Sequence, residues 1–464
     1  MDLSNLSMLA LWTCISGLSL TYPDTRFWDD YLFYDHTVGV TFPRNISPIP
    51  LRQELEGLLF GISPATLRIG TFLVLPLTAF LFGRILRSLP EFFDEHECSW
   101  IATTFLLMFI VCFPAAFVWV HFNYVLAVLI FVLGWRALIS NSAVSRRCVS
   151  PALFLLSFRL PSLITFMSVP LIHSLWLVRS QRKRVIEHSI IASILIVLAM
   201  LYYPILNQLG FRFQTDYNQV TPSRIARALL VLLASIVPMI NCWRRNVRFM
   251  RVQLVPDSKV ALLTACGSVL LGLALFPYLL TGHLTDLNSI LAPLIPGEGS
   301  LTSRNLILIP FGASLLVFAL TLMLKTQHVL PVRRLLVTVL FILGLSGSIE
   351  FKIDALKQES IVAGLRAIPK NSHTALVYFE DTTARFNARG RAIRSYEKVG
   401  WLKLSGWQSN RVQVLDDVTT SCSDAKEALQ ISIASPKPSR IMALLNNELP
   451  IKLTTRTVLL CPPA

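Results

Sequence analysis

Charge is scarce in this chain: Asp, Glu, Lys and Arg together make up 15% of 464 residues, against 53% hydrophobic residues. A water-soluble domain cannot hide that much apolar surface in one core, so the composition excludes an ordinary soluble fold and predicts a polytopic membrane protein. Several catalytic signatures are also missing. The sequence has no GxxxxGK[ST], no GxGxxG after a strand, no HExxH, no GxSxG and no CxxC. Phosphate-loop, zinc-protease and nucleophile-elbow chemistry therefore have no basis in it. There is no repeat or low-complexity tract, and no His, Asp and Glu spacing reads as a metal cage. The first apolar run lacks a basic stretch ahead of it and a small-x-small site before Tyr22, so it reads as a retained span.

A hydrocarbon layer of ~30 Å calls for about twenty apolar residues per crossing. Such windows lie near 3–22, 67–86, 98–120, 124–140, 185–205, 224–241, 259–280, 305–324 and 333–350. The apolar stretch 151–178 suits neither one span nor two; it is broken by Pro161 and Pro170 and carries Arg159. Arg146 and Arg147 precede it, and Arg179, Arg182, Lys183 and Arg184 follow it. Cytoplasmic preference of both basic flanks predicts a re-entrant hairpin lining the protein interior, whereas a single proline-kinked span would invert everything after it. The hairpin also brings Arg84 and Arg87, the Arg244–Arg251 cluster, and Lys325, Arg333 and Arg334 to the same side. The net charge of +15 is then a matter of orientation, and nucleic-acid binding is not expected.

The predicted fold is thus an all-α polytopic membrane domain over 1–350, with about nine transmembrane helices plus the re-entrant element. A small α+β periplasmic domain over 351–464 follows it, with strand-like runs at Thr374–Phe379, Arg411–Leu415, Leu429–Ala434 and Thr457–Cys461. Segments 23–66, 206–223 and 281–304 become outer loops. Cys422 and Cys461, the two cysteines of this tail, are expected to form a disulfide in an oxidising compartment. The other six cysteines sit in or beside spans or inner loops.

Directly after the first span stands Asp24-Thr25-Arg26-Phe27-Trp28-Asp29-Asp30-Tyr31-Leu32-Phe33-Tyr34-Asp35. Carboxylates crowded at a membrane surface have raised pKa values and suit a general base that takes an acceptor's proton. Asp29 or Asp30 is the expected base; being adjacent, their side chains diverge, and the second would orient an acceptor hydroxyl or a nearby Arg. Trp28, Tyr31 and Tyr34 can stack on sugar faces or anchor at the interface, and Asp24 and Arg26 join them as substrate-binding candidates. A donor phosphate needs cations. Arg304, where the last outer loop meets a span, is the first candidate, followed by Arg68, Arg159, Arg212 and Arg224. The bland reading of each arginine is a snorkelling anchor or, for Arg159, a structural pair. His121, His173 and His283 could each assist proton transfer, with a packed or interfacial histidine as the simpler reading of all three; His283 is also a substrate-side candidate.

With its acid in the first external loop, at Trp28-Asp29-Asp30-Tyr31-Leu32-Phe33, the chain resembles membrane glycosyltransferases of the GT-C superfamily. It is most similar to the Gtr-type O-antigen-modifying glucosyltransferases of Gram-negative bacteria and their phages. Phe276-Pro277-Tyr278-Leu279-Leu280-Thr281-Gly282-His283 and Ser303-Arg304-Asn305 resemble the late outer loop and span start of related proteins. The resemblance implies transfer of one sugar, commonly glucose, from a polyprenyl-phosphate donor to a lipid-linked or lipopolysaccharide O-antigen glycan. The reaction would invert the anomeric centre at the periplasmic face of the bacterial inner membrane. It implies a membrane lipid and a glycan acceptor as partners and no cofactor; a divalent ion at Asp29 or Asp30, the sugar, the acceptor and the oligomeric state stay open. An O-antigen polymerase would lean on loop arginines more than on an acidic first loop. A flippase or other transporter would carry ionisable residues in several spans, not acids gathered at one face.

Overall fold

The computed structural model describes residues 5–22, 24–27, 64–113, 116, 118, 121–208, 221–246, 256–281, 306–324, 326–369, 375–407, 412–415, 426–435 and 440–460. Helices dominate. In chain order they are α1 (Asn5–Ser16), extended by a 3-10 turn over Gly17–Thr21, α2 (Pro64–Leu86), α3 (Glu95–Cys112), α4 (Phe122–Leu138), α5 (Ser150–Ser157), α6 (Ser162–Phe166), α7 (Ser168–Val178), α8 (Arg182–Gln208), α9 (Pro222–Asn246), α10 (Pro256–Thr281), α11 (Ile309–Leu322) and α12 (Thr326–Arg366).

Five of them, α2, α3, α8, α10 and α12, are long and apolar enough to cross a membrane. Leu6–Thr21, Phe122–Leu138, Ser162–Val178 and Ile309–Leu322 are apolar but shorter, so the described helices do not reproduce nine full-length windows. The differences have local causes. The window 98–120 becomes a helix that stops at Cys112, two residues before Pro114, because backbone ahead of proline avoids helical torsions. At its other end Asp94 and Glu97 form a reciprocal capping box.

Ion pairs gather where the short connectors lie: Arg87 with Glu95 at 2.7 Å, Arg179 with Glu91 at 2.9 Å, Arg146 and Arg147 with Glu187, and Lys259 with Glu97 at 2.7 Å. Both flanks of 150–178 are tied to connectors by these pairs, so α5, α6 and α7 form an excursion between two anchored ends. The excursion is a packed interior element. Phe154 and Phe166 meet Phe131 of α4, and Phe166 also meets Phe311 of α11. Elsewhere small residues let helices touch. A Cβ on Gly312 would stand 2.6 Å from the Gly267 carbonyl oxygen, and one on Gly272 would overlap Ser235.

α12 does not end near residue 350, where the apolar window does; its 41 residues make a rod of roughly 60 Å that carries on into the C-terminal unit. That unit adds β1 (Ala375–Asp381), α13 (Ser395–Leu404), β2 (Val412–Leu415), β3 (Lys426–Ala434), α14 (Arg440–Asn446) and β4 (Lys452–Leu460). The sheet order is β2-β1-β3-β4, parallel except for the β3–β4 pair. Strand alternation puts Val377, Phe379, Ile431 and Ile433 on one face, where Ile361 and Leu365 of α12 and Trp401 of α13 cover them. The tail's core is therefore built partly by α12. The described parts of all four strand-like runs read from sequence fall on these strands; Thr374, Arg411, Cys422 and Cys461 lie outside the described residues.

Candidate functional site

Among the described residues the richest polar assembly lies at the end opposite the connectors, where Tyr22, residues 24–27, α2, α12 and the C-terminal unit meet. Arg68, on the second turn of α2, is fully buried. Its guanidinium donates to the carbonyl oxygens of Tyr22 and Thr25 and lies over the rings of Tyr22 and Phe27, 4.9 and 5.4 Å from their centroids. A planar fork is suited to this position because it can hold two backbone carbonyls and stack on aromatic faces at once. Phe27 in turn sits edge-on to Phe351 of α12 at 5.3 Å, with the Arg391 guanidinium 5.9 Å from its ring centre. Thr25 donates its hydroxyl to Glu359 at 2.8 Å, and Lys352 reaches the Thr21 carbonyl at 3.4 Å.

Behind Phe27 the charges interlock. Arg391 donates from Nε to Asp354 at 2.9 Å and from Nη1 to Glu397 at 2.6 Å. Asp354 also accepts from the Ala388 backbone N–H and from Gln358, both at 2.8 Å, and the Trp401 indole N–H donates to Gln358 at 3.2 Å. Lys357 is bound by Asp381, the Thr383 carbonyl and Asn387. Burial by itself disfavours the Arg391 cation, but Asp354 and Glu397 more than offset it and hold its pKa above the usual guanidinium value. For Glu397 burial wins: its carboxyl is pushed above the ordinary carboxylate range even with Arg391 pulling it down.

Of the residues singled out by sequence, this junction brings together Arg26 and Arg68; Arg26 is buried and Asp24 exposed. Arg159 is elsewhere, at the tip of the α5–α7 excursion. It is half-buried and near enough to Tyr202 to interact with it electrostatically, and next to it Ser162 accepts from the Tyr278 hydroxyl at 3.1 Å. Tyr202 and Tyr278 stand in the final turns of α8 and α10, so Arg159 points its loop toward the same end as Arg68. Arg224 ties the start of α9 to the Thr281 carbonyl at 3.3 Å. His121 makes tilted ring contacts with Phe113 and Tyr124, at 5.1 and 5.7 Å between centroids. His173, at the connector end, accepts at Nδ1 from the Trp135 indole at 2.9 Å and meets the Ser88 hydroxyl through Nε2 at 3.3 Å.

Trp28, Asp29, Asp30, Tyr31, Tyr34, Arg212, His283 and Arg304 lie outside the described residues. Among the described residues no group of three His, Cys, Asp or Glu could hold a metal ion. Sequence reasoning misses Phe351, Asp354, Arg391 and Glu397. A signal for the first two does exist: charged residues at 350, 352, 354 and 357 alternate with Phe351, Ile353 and Leu356 straight after a span, which a solvated helix has no reason to do. Comparison with protein-family models, with curated proteins and with solved structures gives no match for this chain.

Proposed function

We propose that the chain is a GT-C-type glycosyltransferase of about nine membrane spans and a re-entrant element, with its C-terminal unit in the periplasm. It would move a single sugar, glucose by expectation, from a polyprenyl-phosphate donor in the bacterial inner membrane to a lipid-linked or lipopolysaccharide O-antigen glycan. Asp29 or Asp30 takes the proton of the acceptor hydroxyl as that oxygen attacks the anomeric carbon, and the sugar–phosphate bond breaks on the opposite face, inverting the centre. The departing polyprenyl phosphate needs a cation, for which Arg304 is the first choice and Arg159 the next.

The observation that carries this reading is the grip on Tyr22, Thr25 and Phe27. A fully buried arginine and an aromatic contact with α12 fix the chain two residues ahead of Asp29. Such a support is what a general base in a surface loop requires, since proton transfer fails when the base drifts by an ångström. The cations of Arg26 and Arg159 at that same end favour a phosphate-bearing substrate there, whereas Arg68, a phosphate candidate by sequence, is committed to the Tyr22 and Thr25 carbonyls.

The test supplies membranes with polyprenyl-phosphate glucose and a lipopolysaccharide precursor and compares wild type with Asp29→Asn and Asp30→Asn. One variant is expected to lose transfer by a factor on the order of 10² to 10⁴, the usual worth of a general base. Unchanged transfer in both removes the proposed base, and movement of lipid without consumption of donor replaces an enzyme with a transporter.

A further inference from the structure

α14 has two faces of opposite character. Ala443 and Leu444 pack with Ile349, Ile353 and Leu356 of α12 and with Phe386. On the other side Ile441, Met442 and Leu445 stand 70%, 52% and 75% exposed, an apolar face that a soluble unit would normally hide. The position of this face says what covers it. Along α12 the residues Leu335, Val339 and Ile342 are also exposed, and they form a single stripe on the membrane-length part of the helix. Continued at the same three-and-four spacing, the stripe reaches Ile349, Ile353 and Leu356, the residues on which α14 lies. α14 is thus mounted on the lipid-facing side of α12, within two turns of the end of the apolar window near residue 350.

We infer that α14 is a membrane-surface anchor of the C-terminal unit, with Ile441, Met442 and Leu445 seated in the boundary between headgroups and acyl chains. An apolar face of this kind enters the boundary layer by ~5–10 Å, and Ile353 and Leu356, which α14 covers, stand about 5–9 Å beyond residue 350 along the helix axis. Charge at its rim agrees. Arg440 donates to the Arg385 carbonyl at 2.6 Å, and both residues are exposed beside the helix, where lipid phosphates would lie. The inference rests on the membrane-spanning part of the proposed function and not on sugar transfer.

An environment-sensitive fluorescent amino acid, introduced genetically in the full chain at Ile342, Met442 or Thr455, tests it in nanodiscs of phosphatidylethanolamine and phosphatidylglycerol. Lipid-borne nitroxide and aqueous iodide serve as quenchers. The probe at 442 should show blue-shifted emission and lose intensity to the nitroxide more than to iodide, and the probe at 455, on exposed β4, should do the reverse. Iodide quenching at 442 equal to that at 455 overturns the anchor, as does protection from both quenchers, which would mean a protein partner. A probe at 342 untouched by nitroxide refutes the spanning reading itself, so the two failures are distinct.

Discussion

Arg68 shows how much one side chain decides. Both carbonyls it holds are buried with it, so Arg68→Leu leaves them without their donor and is expected to cost about 3 kcal/mol, seen as a lowered unfolding temperature in detergent. Arg68→Lys should recover only part of this, since an ammonium cannot fork across two acceptors and stack on Phe27 as well. Arg391 has the larger stake. Arg391→Leu strands Asp354 and Glu397 in a buried site and should destabilise by roughly 3–5 kcal/mol; Asp354→Asn, keeping hydrogen-bonding capacity, should cost less in the same melt.

None of these partners can be named from sequence, because 37 residues separate Asp354 from Arg391 and only the fold closes that gap. Arg68 is legible as a cation at the right end. Its commitment to two backbone carbonyls depends on where the chain after Tyr22 turns, which no local pattern encodes.

Among the elements, strands are the most legible. Val377 and Phe379, or Ile431 and Ile433, alternate with their neighbours across the sheet, and that two-residue period survives without knowledge of the sheet order. Helix ends are less so, since Pro114 and the turn at Leu306–Leu308 shorten windows that hydropathy alone extends. Helix crossings depend on glycine. Gly312→Val would drive a side chain into the Gly267 carbonyl and Leu271, and a loss of about 1–3 kcal/mol with less folded protein in extraction trials is expected.

The outer face of the sheet carries a pH response. Glu380 accepts from Ser432 at 2.6 Å and Gln430 at 2.7 Å, and these bonds hold its pKa below 4.5. A depressed carboxyl contributes stability that is present above pH 4.5 and lost as pH falls through the folded-state value. Glu380→Gln should therefore melt lower at pH 7 yet lose less than wild type on acidification below pH 4.5, as followed by thermal unfolding across a pH series.

For the whole molecule the decisive feature is that the helical part and the C-terminal unit share α12. Sequence sets the border at 350 because charge rises there. In the structure that charge is turned inward, and the helix formers of 350–366 continue the rod. Register along the rod is therefore critical. One alanine inserted after Leu345 rotates everything beyond it by about 100° and should pull Phe351 off Phe27. Faster proteolysis at the junction than in a variant with one alanine inserted after Asn447, beyond the rod, would confirm the coupling.

Beyond Pro331 the helix runs on to Arg366 and acts as a lever. Tilting a rod of roughly 60 Å by about 10° to suit a thinner bilayer swings its far tip by roughly 10 Å. The sheet mounted on that tip would travel with it, so lipid thickness alone would set how the C-terminal unit leans.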